Sequence, residues 1–87
     1  MSTGDSRLPV FYLYSRSDCH LCEVLLEELL PLIHGRARLE VRDVDSNDAW
    51  RARYGLRIPL VEFDGQVLCQ YRIDRAAIQE ALQGCVG

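Results

Sequence analysis

Cys19 and Cys22 stand with two residues between them in the stretch Ser15-Arg16-Ser17-Asp18-Cys19-His20-Leu21-Cys22. Two thiols at that spacing can exchange with an outside disulfide or contribute to a metal site. A disulfide across two residues closes too small a loop to stabilise a fold much, so chemistry explains the pair better than stapling does. What chemistry they do depends on what holds them. A strand-like run, Val10-Phe11-Tyr12-Leu13-Tyr14, leads in, and a leucine-rich helical run, Val24 to Leu32, leads out. The pair therefore falls at a strand-to-helix junction. The first turn of a helix carries unpaired N–H groups and the positive end of the macrodipole. A Cys19 thiolate is favoured there, and its pKa is expected below that of a free cysteine. Cys22, one turn further in, is expected to be sheltered and placed to attack a mixed disulfide on Cys19.

The rest of the composition narrows the class. With 87 residues, 48% hydrophobic and 26% charged, the chain is one small globular domain. A net charge of -3 with no basic cluster gives no sign of a nucleic-acid partner. No run of about 20 apolar residues is present to span a membrane. The start, Met1 to Ser6, has neither a basic nor an apolar signal region. Residues 1–8 read as a disordered tail, residues 9–84 as the domain, and the cytosol as the expected compartment, where structural disulfides are rare. A monomer is expected.

Along the chain, residues 9–14 are nearly all apolar, as in a strand buried on both faces. Residues 20–30 have helical spacing, with Leu21, Val24, Leu25, Leu29 and Leu32 on one side, widened by Leu26 and Leu30. Pro31 removes a hydrogen bond to the Glu27 carbonyl, which predicts an end or bend near Leu30 and an irregular turn to Gly35. His34 is expected as a cap residue rather than a ligand. Residues 38–44 alternate, placing Leu39, Val41 and one later position toward a core. A helix over about 47–54 follows, with capping candidates in Asp45-Ser46-Asn47-Asp48, core residues Trp50 and Tyr54, and Gly55 as its stop. Leu60-Val61-Glu62-Phe63 and Gln66-Val67-Leu68-Cys69 flank Asp64-Gly65, a strong two-residue hairpin signal. Asp74 caps a last helix with Ala77, Ile78, Ala81 and Leu82 on its apolar face and Gly84 at its end. The order β-α-β-α-β-β-α predicts an α/β domain with a four-stranded mixed sheet and helices on both faces. Its first two strands are expected to be parallel.

That order, with Cys-x-x-Cys opening the first helix and Pro59 before the third strand, resembles the thioredoxin fold over roughly residues 9–83. Tyr14-Ser15-Arg16-Ser17-Asp18-Cys19-His20-Leu21-Cys22 resembles the glutaredoxin pattern Tyr-Ser-Lys-x-x-Cys-Pro-Tyr-Cys, and Arg57-Ile58-Pro59 its Thr-Val-Pro. Cys19-His20-Leu21-Cys22 with a leucine-rich helix, and the Asp64-Gly65 hairpin followed by Tyr71-Arg72-Ile73-Asp74, are similar to small bacterial glutaredoxin-like proteins once grouped as a domain of unknown function. The resemblance implies a thioredoxin-like fold and a cis proline at Pro59 beside the cysteines. It also implies a thiol–disulfide oxidoreductase with Cys19 as nucleophile and Cys22 resolving. No cofactor bound by the fold is implied. The partner is a disulfide-containing protein or glutathione, the latter a co-substrate. By the same resemblance Arg16 meets a glutathione carboxylate, Ile58 pairs through its backbone, and Asp74 receives the γ-glutamyl amine. The glycine pair usual after the fourth strand is replaced by Cys69-Gln70-Tyr71, and the Pro-Tyr between the cysteines is missing. The buried acid that thioredoxins place in the first long strand is also absent from Phe11-Tyr12-Leu13.

The other chemistry-bearing residues have two readings each. His20, between the cysteines, either tunes Cys19 or is an exposed residue with no role. Arg16, Arg57 and Arg72 either form a positive rim that favours a thiolate and anionic partners, or are three solvated side chains. Cys69 is a third redox thiol or a small buried hydrophobe, and the latter is expected. Two alternatives to an enzyme remain. One is a binding module of the same fold whose cysteines sense redox state. The other is a thiolate metal-binding protein, although Cys69 and Cys85 lack the spacing of a second ligand pair.

Overall fold

The computed structural model of the protein describes residues 8–84. The expected tail lies outside the described residues except for Leu8, and so does Cys85. The elements are β1 (Val10–Ser15), α1 (His20–Ile33), β2 (Arg38–Asp43), a 3-10 turn (Val44–Ser46), α2 (Asp48–Tyr54), β3 (Leu60–Phe63), β4 (Gln66–Gln70) and α3 (Arg75–Gln83). The sheet order is β2-β1-β3-β4, with β1 and β2 parallel and the other pairs antiparallel. This is the α/β order read from the sequence.

β1 is central, and successive side chains point to opposite faces. Phe11 and Leu13 enter the larger core with Leu25, Leu29 and Ile33 of α1, Val61 and Cys69 of the sheet, and Ile78 and Leu82 of α3. Tyr14 enters the smaller core on the other face with Val44, Tyr54 and Leu60, against which Tyr12, Trp50 and Ile58 pack. Helices therefore cover both faces, α1 and α3 on one and α2 on the other.

Local signals fix the joints. Asp64 and Gly65 have φ of 53 and 79, the left-handed pair a tight hairpin turn requires. Asn47 caps α2 by accepting from the Trp50 N–H at 3.0 Å, and Asp74 caps α3 by accepting from the Ala77 N–H at 3.1 Å. His34 is the C-cap of α1, its N–H donating to the Leu30 carbonyl at 3.0 Å. Gly55 and Gly84 end α2 and α3, both in right-handed conformation.

Three expectations are corrected. α1 does not end near Leu30 but continues through Pro31 to Ile33. Pro31 and Glu27 both lie on the exposed side, so water can satisfy the Glu27 carbonyl while Leu29 and Ile33 hold the inner side in the core. Leu21 and Leu30, placed on the apolar face by spacing, are both exposed. Val41 is 50% exposed rather than in the core. β2 is an edge strand, and of its alternating residues only Leu39 packs against the larger core. The later core position is Val44, in the 3-10 turn.

The smaller core contains a polar chain. Arg42 Nη1 donates to Tyr14 Oη at 2.8 Å, and Tyr14 Oη donates to Glu62 Oε1 at 3.3 Å. Tyr54 Oη donates to Glu62 Oε2 at 3.2 Å. The Arg42 guanidinium lies 4.0 Å from the Tyr12 ring centre and 5.0 Å from that of Trp50. Burial pushes the Tyr14 hydroxyl from 10.0 up to about 12, against the opposing Arg42 hydrogen bond and with help from the Glu62 charge. The folded value lies above the unfolded one, so the folded state holds this proton more tightly. That contribution is complete below about pH 10 and is lost as pH rises toward 12. Urea midpoints measured across this range should fall steeply for the native protein. They should fall less steeply for Tyr14→Phe, which at neutral pH should be less stable by about 1–2 kcal/mol through the lost hydrogen bonds.

Candidate dithiol site

β1 ends at Ser15 and α1 begins at His20, so the intervening loop must turn sharply. Asp18 takes a φ of 59 to make that turn. Cys19 is the N-cap of α1 and forms a disulfide with Cys22, with the two Cα atoms 5.2 Å apart. The Cys22 N–H donates to Cys19 Sγ at 3.2 Å, and the Glu23 N–H to the Cys19 carbonyl at 3.2 Å. Cys19 is half-buried, whereas Cys22 is 5% exposed. One sulfur is thus reachable and the other shielded, as the spacing predicted. His20 is exposed.

Arg16 lines a small cavity beside the disulfide, together with Leu13, Cys19, Cys22, Glu23, Leu26 and Val41. Its guanidinium is already engaged. Nε and Nη2 meet the two Asp45 carboxylate oxygens at 2.9 and 3.3 Å, and Nη1 donates to the Gly55 carbonyl at 3.5 Å. Arg57 donates from Nε to Gln70 Oε1 at 3.0 Å. Of the three arginines read as a rim, Arg16 has its charge answered, Arg57 is tied to β4 and Arg72 is exposed.

The Ile58–Pro59 peptide bond is cis. Pro59 is buried, and its carbonyl accepts from the Tyr71 N–H at 2.7 Å. Among the described residues no backbone group pairs with the Ile58 N–H or carbonyl. The Ile58 side chain packs on the smaller core. Tyr71, at a φ of 67, also donates from Oη to the Leu56 carbonyl at 2.8 Å. It lines a groove of about 290 Å³ with Leu21, Val24, Leu25, Arg72 and Ile73. That groove connects the turn between the cysteines to the segment bracing the proline loop. Asp74 lies at the end of that segment, its carboxylate occupied as the α3 cap.

Sequence reasoning missed Asp45, Tyr71 and Leu56. Asp45 was grouped with the α2 capping candidates, but Asn47 does the capping. Tyr71 reads from sequence as part of the Tyr71-Arg72-Ile73-Asp74 resemblance and as a replacement for the usual glycine pair, with no bracing role. Leu56 is 92% exposed beside Arg57, a signal that only the folded surface gives. Cys69 is buried in the larger core, and burial pushes its thiol pKa up against the Asp74 backbone hydrogen bond. Among the described residues no three His, Cys, Asp or Glu side chains converge to hold a metal. No described helix is long and apolar enough to cross a membrane.

A family model, "Glutaredoxin-like domain (DUF836)", matches residues 10–83. The chain belongs to this family. The glutaredoxin-like domain is also similar to solved structures. Structural-genomics target protein XcR50 from X. campestris is 28% identical, with a TM-score of 0.65 over 85% of this chain and 96% of that one. A mutant thioredoxin from Halobacterium salinarum is 21% identical, with a TM-score of 0.63 over 99% and 81%. Thioredoxin 1 from Thermosipho africanus is 15% identical, with a TM-score of 0.59 over 85% and 94%. The two thioredoxins share the fold. A glutaredoxin-like domain of thioredoxin fold with a disulfide-forming Cys-x-x-Cys pair supports a redox role.

The Arg16–Asp45 pair is partly exposed to solvent, so Asp45→Asn should change stability by less than about 1 kcal/mol. It should free a cation beside the disulfide. Reduction of the oxidised protein by anionic mercaptoacetate, relative to neutral mercaptoethanol, should rise about threefold at low salt and return toward unity near 1 M salt.

Proposed function

We propose that this protein is a thiol–disulfide oxidoreductase acting on disulfide-containing proteins. The observation that carries this reading is the disulfide between a half-buried Cys19 at the N-cap of α1 and a buried Cys22. In the reduced protein the helix N-terminus and the Cys22 N–H favour a Cys19 thiolate. That thiolate attacks a substrate disulfide, forming a mixed disulfide on Cys19 and releasing one substrate thiolate. Cys22 then attacks the Cys19 sulfur, the second substrate thiolate leaves, and the Cys19–Cys22 bond remains. The substrate is reduced by two electrons and the pair is oxidised by two. An external thiol reverses the process.

The Ile58 backbone, held next to Pro59 and without a partner among the described residues, is suited to pair with an extended substrate segment. Arg57 is kept at that loop by Gln70. Glutathione is the proposed small thiol that resets the pair. Its carboxylate would have to compete with Asp45 for Arg16, and its amine would have to share Asp74 with the α3 N-terminus. These two contacts favour a protein as the preferred disulfide partner. The protein would act as a monomer in the cytosol, with no bound cofactor.

A second reading draws on exposed Leu21, Leu56 and Tyr71, which suit a partner-binding module whose disulfide serves as a sensor. The test is to equilibrate the protein with glutathione buffers and follow it by mass. A reversible two-electron transition with no lasting glutathione adduct is expected, with a midpoint between about −120 and −270 mV. Cys22→Ser should trap a mixed disulfide on Cys19, and Cys19→Ser should abolish disulfide reduction. Partner binding that survives Cys19→Ser, in a protein without reductase activity, would favour the module. Failure to form the Cys19–Cys22 bond in any oxidising buffer would sink the dithiol mechanism.

A further inference from the structure

Resolution of a mixed disulfide requires Cys22 to attack as a thiolate, yet Cys22 is among the buried residues. Burial in apolar surroundings holds a thiol protonated. Something within reach must take that proton. The cavity of about 100 Å³ beside the disulfide has apolar walls from Leu13, Leu26 and Val41. It is large enough to admit water. Its titratable lining is Cys19, Cys22, Glu23 and Arg16. Arg16, from the loop after β1, is a permanent cation held by Asp45 and cannot accept a proton. β2 contributes only Val41 to the lining, while its charged neighbours Glu40 and Arg42 pair with each other. Among the described residues Glu23 is the only carboxylate lining the cavity, and it takes part in no ion pair there.

The Glu23 backbone is fixed, while its exposed side chain borders both the cavity and solvent. The residue follows Cys22 directly in the first turn of α1, and its N–H donates to the Cys19 carbonyl.

We propose that Glu23 is the proton acceptor for Cys22 in the resolving step, working through the cavity it shares with both sulfurs. This rests on the dithiol reading above. The Cys22 S–H bond breaks and its proton passes to the Glu23 carboxylate. The Cys22 sulfur bonds to the Cys19 sulfur as the bond from Cys19 to the substrate sulfur breaks. The departing thiolate takes up a proton, and Glu23 returns its own to solvent. The substrate disulfide is the oxidant, and no other reactant is consumed. Glu23 thereby serves where β1 offers only Leu13.

The test mixes reduced protein with dithiobis(nitrobenzoate) and follows the coloured thiolate in stopped flow. With the reagent at one equivalent and Cys85 replaced in every protein compared (Cys85→Ser), the first release reports attack by Cys19 and the second reports resolution by Cys22. With Glu23→Gln at about pH 7 the second phase should slow by about tenfold, while the first stays within about twofold. The deficit should narrow progressively as pH rises above about 9, because hydroxide then competes as the acceptor for the Cys22 proton. Glu23→Asp should recover part of the rate, and the exposed Glu27→Gln should match the unaltered protein. A second phase indifferent to Glu23→Gln, or slowed by one factor at every pH, overturns the assignment and leaves the dithiol reading intact. Absence of a second phase in the unaltered protein overturns both.

Discussion

The alternation of side chains along β1 is the constraint on which the rest of this molecule depends. β1 is hydrogen-bonded on both edges, so its side chains can leave only through its two faces. Phe11 goes one way and stacks on Phe63 with ring centres 4.7 Å apart. Tyr14 goes the other way and stacks on Tyr54 at 4.1 Å. Each face then needs its own cover, and the two covers differ in chemistry. The α1 and α3 side is apolar, with the Phe11–Phe63 stack set among aliphatic side chains. The α2 side is aromatic and holds the chain from Arg42 through Tyr14 to Glu62. The disulfide lies just past the end of this strand, where the chain leaves the sheet to start α1. Its position follows from the strand that both cores clamp.

The parts legible in the sequence are those governed by neighbours. The Cys-x-x-Cys spacing at a strand-to-helix junction, the Asp64-Gly65 turn and the Asp74 cap each depend on residues a few positions apart, and their geometry follows from local sterics and hydrogen bonding. The parts that were not legible depend on distant partners. Pro31 ends a helix in isolation. Here the same residue sits on the solvent side of a helix whose other side is pinned by Leu29 and Ile33, and packing outweighs one lost hydrogen bond. Val41 has the alternation of a half-buried strand, but alternation cannot say how far a helix covers an edge strand. Asp45 reads as a cap because its neighbours do. Its partner is Arg16, 29 residues away.

The three described cysteines show how far context divides one side-chain type. Cys19 caps a helix and is reachable from solvent, where a thiolate is favoured by oriented N–H groups. Cys22 is one turn along and covered. Cys69 is in the larger core, where burial raises its pKa and keeps it a neutral thiol. Nothing in the residue itself distinguishes these fates. Among the described residues, only at this end of the sheet does a cysteine meet a helix start and solvent together.

Tyr71 bears on recognition. A non-glycine residue at a φ of 67 carries a backbone cost of about 1–3 kcal/mol, which surrounding contacts must offset. Two hydrogen bonds are available for that purpose. The N–H reaches the Pro59 carbonyl, and the phenol reaches the Leu56 carbonyl. The tyrosine therefore braces the proline loop against the segment between β4 and α3. A glycine here would leave the backbone open to close approach by a ligand's own backbone. Tyrosine instead gives the groove a wall, continuous with Leu21 between the cysteines. This face offers a shaped apolar surface near the disulfide, with Glu28 and Arg72 at its margin. On the proposed oxidoreductase reading, such a surface would select among partners by the side chains around their sulfur.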